Sequence, residues 1–417
     1  MIGNRQSRLF EQLGPRDQII DAVGPIKERV LGVAMQMNER HEQRIIATGR
    51  LRRQRRTGAV SFRTLRKLAT ACGALLVVVL AITPMGCYVS RAAFEEGKIL
   101  SHRKSIAKLV ADSTTEAATR AKLTLVTQAR TFARDSLGLK TGQSFTTYVR
   151  LDRDTLVLVL SAAYKDRLER KTWWFPIVGR FPYKGFFDFD KAKKTAASMR
   201  AEGFDVTLGA SSAFSTLGWF NDPLVSTTLA GDSIVLVNTV IHELLHNTFF
   251  AKGSVPFNES FASFVGGRGA EAFFRSRGDT ASLRRAQADW HDDVILGAFW
   301  AKLSTQIEAA FAAWPIDSTA ARLAARDKIY AAARAELVDS IAPTLQTYPP
   351  TWAARVTLNN AVLLSRRVYA QGLDQFEAVF AREGNDLKKS VARIASLADG
   401  KTPPDRAVAN WLRGEQR

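Results

Sequence analysis

The chain has 417 residues, 46% hydrophobic and 24% charged, a length and balance that exclude a largely disordered protein and allow two or three domains. The net charge of +19 favours adhesion to anionic surfaces, lipid or nucleic acid, without naming either. Only two cysteines exist, Cys72 and Cys87, both in or beside one apolar run, which excludes a disulfide framework for the rest of the chain.

Residues 1–66 read as a basic N-terminal extension, either a cytoplasmic tail or residues ahead of the true translation start. Residues 1–67 hold 15 lysines and arginines against 6 acidic residues. The apolar run "LATACGALLVVVLAITPM" follows, from Leu68 to Met85, without a charge. As a helix its 18 residues would span roughly 27 Å, close to a hydrocarbon core. Arg63, Arg66 and Lys67 precede it, as the positive flank of a signal sequence or of a single-pass anchor does. Residues 67–87 are therefore expected to lead the remainder out of the cytoplasm, to the periplasmic side or the cell surface. The closing "PMGC" resembles a bacterial lipoprotein processing box, which would lipidate Cys87, although Pro84 stands where that box usually has leucine.

From Tyr88 to about Leu137 apolar residues recur at helical steps, and Gly138 stops the pattern. Thr155–Tyr164, β-branched and apolar, predicts a buried strand. The aromatic stretch Trp173–Phe189, broken by Gly and Pro, predicts short strands and turns. A helix is expected over Asp190–Glu202, a strand over "FDVTLG", and a loop leading to an edge strand over "STLGWFNDPLVSTTL". Asp232 or Ser233 caps a helix through "IVLVNTVIHELLHNTFFA" that ends near Gly253, and the next helix starts near Asn258. From Ala281 onward the pattern is nearly all helix. The fold class that follows is α+β, mostly helical, with a small sheet from residues about 155–230. Residues 88–280 would form a catalytic region and 281–417 a C-terminal helical region.

Within "VIHELLHN", His242 and His246 stand four positions apart, two of only five histidines in the chain. On a helix they share one face and suit one Zn²⁺ at roughly 2.0–2.1 Å per nitrogen. Glu243 sits about a hundred degrees round, placed to reach water at the metal rather than to ligate, which is the mechanical content of His-Glu-x-x-His. The bland alternative, a buried histidine pair, leaves two imidazoles in need of partners. A third ligand is expected from Glu259 in "FNESFA", brought back by a helix–turn–helix return. Its own bland reading is a first-turn glutamate favoured by the helix dipole. Asn258 beside it would hydrogen-bond substrate or fix the turn. His41, His102 and His291 lie elsewhere in the chain.

His-Glu-x-x-His followed by Asn-Glu-x-x-Ala is the pattern of the gluzincin metallopeptidases. Together with "KTWWFPIVGRFPYKGFFD", "STLGWFNDPLVST" and "LNNAVLL", it resembles the bacterial putative aminopeptidase family, over most of Cys87 to about Ala398. Members of that family typically begin with a lipoprotein-like signal. The resemblance implies a zincin-like core, one Zn²⁺ held by His242, His246 and Glu259, Glu243 as general base, and a peptide substrate. Gluzincins place an aspartate one turn after the glutamate ligand, to orient a histidine. Here Ser263 holds that position, which leaves Asp222 and Asp232 as candidates for the task. Tyr183 and Tyr369 are the candidates to stabilise the developing oxyanion, each against the plain reading of a packed tyrosine. Trp219 is in "GWFNDP", a stretch that would line the substrate cleft or form the edge strand along which an extended peptide pairs. The rival reading is a non-catalytic, membrane-tethered envelope protein that binds a partner or an anionic surface. No nucleic-acid module is recognisable, and no nucleic-acid partner is expected.

Overall fold

The structure is a computed structural model and describes residues 84–152, 155, 157–175, 179–211, 223–349 and 351–415. The basic extension, all of the apolar run before Pro84, and Trp219 and Asp222 lie outside the described residues. Among the described residues no helix is long and apolar enough to cross a membrane. Cys87 falls in the first described helix, α1 (Pro84–Ser101).

The strands form small sheets rather than the single one expected. Strand β1 (Lys104–Ser105) pairs antiparallel with β2 (Thr147–Val149), which pairs parallel with β8 (Leu224–Val225). Strand β3 (Val157–Ala163) is central to a second sheet, flanked antiparallel by β6 (Tyr183–Phe186) and β7 (Asp205–Ser211). Strands β4 (Trp173–Phe175) and β5 (Gly179–Phe181) make a two-stranded ribbon from the aromatic stretch. Alternate residues of β3 point inward, so Leu158, Leu160 and Ala162 meet Ala192, Ala196 and Met199 of helix α4 (Phe189–Ala201) in a local core.

Helices supply most of the remaining frame. After α2 (Ile106–Ala111), α3 (Ala117–Asp135) and the short α5 (Ser226–Leu229) come the long α6 (Ser233–Thr248), α7 (Val255–Ser276) and α8 (Thr280–Ala312). Then follow α9 (Thr319–Glu336), α10 (Trp352–Arg355), α11 (Asn360–Ala370), α12 (Leu373–Arg382), α13 (Leu387–Ala398) and α14 (Pro404–Arg413). The main core runs from Ile106 to Val408. It joins α3, α6 and α7 to α12, α13 and α14, so burial is continuous across the boundary expected near residue 280.

A buried polar knot fastens the second sheet to the C-terminal helices. Asp205 Oδ2, at the start of β7, accepts from the Arg326 guanidinium and from the Asn360 backbone N–H at 2.8 Å. Asn360 Oδ1 accepts from Tyr330 Oη at 2.8 Å, and Asn360 Nδ2 donates to the Tyr164 carbonyl at 2.8 Å. Every polar atom of the Asn360 side chain is thus used where water is excluded, as burial demands. This accounts for the second asparagine of "LNNAVLL" in structural terms.

Candidate metal centre

The centre is built on the hairpin of α6 and α7. Asp232 starts α6: its Oδ1 accepts from the Val235 backbone N–H at 2.8 Å. That side chain is a helix cap, far up the helix from the histidines, so of the two candidates for orienting a histidine Asp232 is set aside, while Asp222 lies outside the described residues. Helix α6 ends at Thr248, where Phe249 turns extended (φ −144°, ψ 139°), short of the end expected near Gly253. Helix α7 begins at Val255, three residues ahead of the start expected near Asn258, with proline in its first turn, where a missing N–H costs nothing.

The return between the two helices is short and locked. Asn258 Oδ1 accepts from the Ala251 N–H and Asn258 Nδ2 donates to the Ala251 carbonyl, both at 2.8 Å. Asn258 is 1% exposed, so of the two roles expected for it, fixing the turn is the one this pairing performs. The rings of Phe249, Phe257 and Phe261 pack edge-on or tilted against one another beneath the turn, with centroids 5.7–6.3 Å apart.

Small residues let the helices approach. Ala262, Gly266 and Gly269 follow Glu259 at helical spacing on one face of α7. A Cβ on Gly266 would stand 2.3 Å from Asn238 Oδ1 and 3.2 Å from His242 Cβ. One on Gly269 would stand 2.8 Å from Ile241 Cγ2. Only glycine permits this crossing, and the crossing carries the Glu259 carboxylate to the histidines.

The three side chains converge. His242 Nε2 and His246 Nε2 are 3.3 Å apart. Glu259 Oε2 lies 3.4 Å from the first and Oε1 3.7 Å from the second. Donors at zinc distances in a tetrahedral arrangement are separated by about 3.3 Å, so these spacings fit one ion. The Glu259 side chain is fully buried, and among the described residues neither of its oxygens has a hydrogen-bond partner. A buried carboxylate in that condition is costly unless a cation answers it. The imidazoles are 13% and 7% exposed, so they are mostly covered yet still reach the surface. Glu243 is buried beside them at 5% exposure. Ser263 occupies the partly exposed position one turn beyond Glu259.

The remaining expected residues fall at different places. Ser260, next to Glu259, donates to the Val368 carbonyl at 3.3 Å and accepts from the Gln371 N–H at 3.0 Å. These bonds straddle Tyr369 and pin the end of α11 against the start of α7. Tyr369, with its hydroxyl buried, is therefore held beside the helix that carries Glu259. Tyr183 lies buried in β6, with its ring edge-on to Phe181 at 5.8 Å and its backbone opposite Ser161. His102 Nδ1 lies 2.6 Å from the Lys98 carbonyl, and His291 Nδ1 lies 3.1 Å from Asp292 Oδ1; neither joins the cluster. Sequence reasoning passed over Gly266 and Gly269. The signal available was three glycines within four positions inside an otherwise helical pattern, "GGRG".

A family model described as "Putative aminopeptidase" matches residues 87–408. No curated protein and no solved structure matches the chain.

Proposed function

Because this chain belongs to the putative aminopeptidase family, whose name suggests peptidase activity, we propose that it is a zinc-dependent peptidase of the gluzincin type. One observation carries the zinc reading: a fully buried glutamate carboxylate, without hydrogen-bond partners among the described residues, faces two imidazoles at 3.4 and 3.7 Å. His242, His246 and Glu259 would hold the ion. When bound, zinc polarises the scissile carbonyl and makes water a nucleophile near neutral pH.

The chain's own residues do the rest. Glu243 takes a proton from the attacking water and delivers it to the departing amine. Tyr369, held through Ser260 beside the helix of Glu259, is assigned as the donor for the developing oxyanion, with Tyr183 as the alternative. Trp219 in the stretch before α6 is assigned to the cleft wall. We place this machinery outside the cytoplasm of a bacterial cell, tethered through residues 68–87 or through a lipidated Cys87.

The test is a peptide-library digest by the purified, zinc-loaded protein, read by mass spectrometry. Loss of residues from the amino end defines an aminopeptidase, and internal cuts define an endopeptidase. Absence of any cleavage by protein carrying stoichiometric zinc overturns the reading.

A further inference from the structure

The polar face of α6 does not end at the metal ligands. Asn238 lies one turn before His242, and His242 one turn before His246, so the three form a row on one side of the helix. All three are partly exposed, between buried neighbours Val237, Ile241 and Leu245.

Asn238 differs from the other polar side chains that surround the histidines on α6. Asp232 caps the helix. Thr239 and Thr248 donate back to the carbonyls of Val235 and Leu244, and Asn247 donates to Ser144 Oγ. Asn238 offers two donors and an acceptor, yet its side chain makes no hydrogen bond among the described residues. Asparagine is a poor helix former, favoured where its side chain bonds locally, so here the helix carries its cost without that return. Its Oδ1 instead rests over the bare Cα of Gly266, at the same point of the crossing that His242 Cβ touches. A larger residue at position 266 would displace the amide and the histidine together.

We infer that Asn238 is a substrate-positioning residue, whose carboxamide pairs with the main chain of a bound peptide beside the scissile bond. A carboxamide presents the same donor and acceptor pair as a peptide group and can engage one at two points. One helical turn is about 5.4 Å and an extended residue about 3.3 Å, so the contact falls one to two residues from the bond that breaks. The preferred substrate is then an extended peptide of three residues or more, not a single-residue amide. This rests on the peptidase reading above.

The experiment compares the zinc-loaded full chain with Asn238→Ala on a substrate series: an aminoacyl amide, then peptides lengthened one residue at a time on either side of the cleaved bond. Wild type should gain in kcat/KM on lengthening toward one side. Asn238→Ala should lose about five- to tenfold of that gain, chiefly through KM, as expected for one ordinary hydrogen bond. Methylating the corresponding backbone nitrogen of the substrate should reproduce the loss in wild type and add little in the variant. Equal loss on every substrate together with a lowered unfolding temperature would assign Asn238 to helix packing alone and overturn the inference. So would wild type and variant with the same length dependence. If wild type binds zinc and cleaves nothing, the peptidase reading falls and takes this one with it; if wild type cleaves and only the coupling is missing, this one falls alone.

Discussion

Gly266 and His242 meet across the crossing of α6 and α7: a Cβ on the glycine would lie 3.2 Å from the Cβ of the histidine. The approach of the two helices at the candidate metal centre therefore depends on an atom that is missing. Gly266→Val should part the helices, lowering stability by about 1–3 kcal/mol as overpacked cores do, and should release zinc. Gly266→Ala should move both readouts the same way, less far, because alanine's helix preference offsets part of the strain. Thermal unfolding and metal content measured on the same samples check this; full zinc occupancy in the valine variant would show that the helices separate without consequence for the site.

Glu259 is expected to make the metal-free protein less stable than the loaded one. Zinc at a hundred times its dissociation constant should stabilise wild type by about 2.7 kcal/mol. Glu259→Gln keeps the shape and removes the charge, so its melting temperature should respond little to zinc or to a chelator. A response equal to that of wild type would place the third ligand elsewhere.

Glu243→Gln should separate binding from chemistry. Zinc content should match wild type, while kcat falls by about 10²–10⁴, the usual contribution of a positioned acid–base group. Full hydrolysis by the variant would exclude Glu243 as the proton carrier.

The knot around Asn360 is a stability device remote from chemistry. Asp205→Ala leaves the buried Arg326 guanidinium without that carboxylate, and among the described residues Asp327 remains its charged partner. A loss of about 3 kcal/mol is expected in denaturant melts, toward the low end for a broken buried pair because Asp327 persists. A change below about 1 kcal/mol would mean that the sheet and the C-terminal helices hold together through apolar contacts alone.

Glu271 gives a pH signature. Burial pushes its carboxyl above the ordinary range, against the opposing pull of the Arg268 guanidinium. A carboxyl raised in the folded state contributes stability that is fully present below its unfolded value of about 4.3 and is lost as pH rises through the folded one. Glu271→Gln lacks that titration. The stability of the variant relative to wild type should therefore increase as pH is taken from 4 to 7. The opposite slope in melts across that range would show that Arg268 outweighs burial.

Periodicity made the helical character of the chain readable, and the i, i+4 spacing made the shared face of His242 and His246 readable, because helix geometry alone fixes both relations; the approach of Glu259 depends on the turn and the crossing. Three features were not readable, each for a physical reason. The sheets depend on pairings such as Tyr148 with Leu224, far apart in the chain, where no local pattern selects a partner. Glycines at 266 and 269 count against a helix in any propensity scale, and nothing in the residues says which neighbour they admit. Asn238 reads as a solvated helix residue until the opposite helix shows where its amide rests.

The unbroken core also sets an order of events for the growing chain. His242, His246 and Glu259 leave the ribosome close together, on two helices joined by a locked turn, whereas Val408, which belongs to the same core, is made long after them. A chain cut short before α14 would keep those three residues but leave the flank of α12 and α13 open to water. Translation must pass α14 before that interior is sealed, so termination ahead of it yields an aggregation-prone fragment.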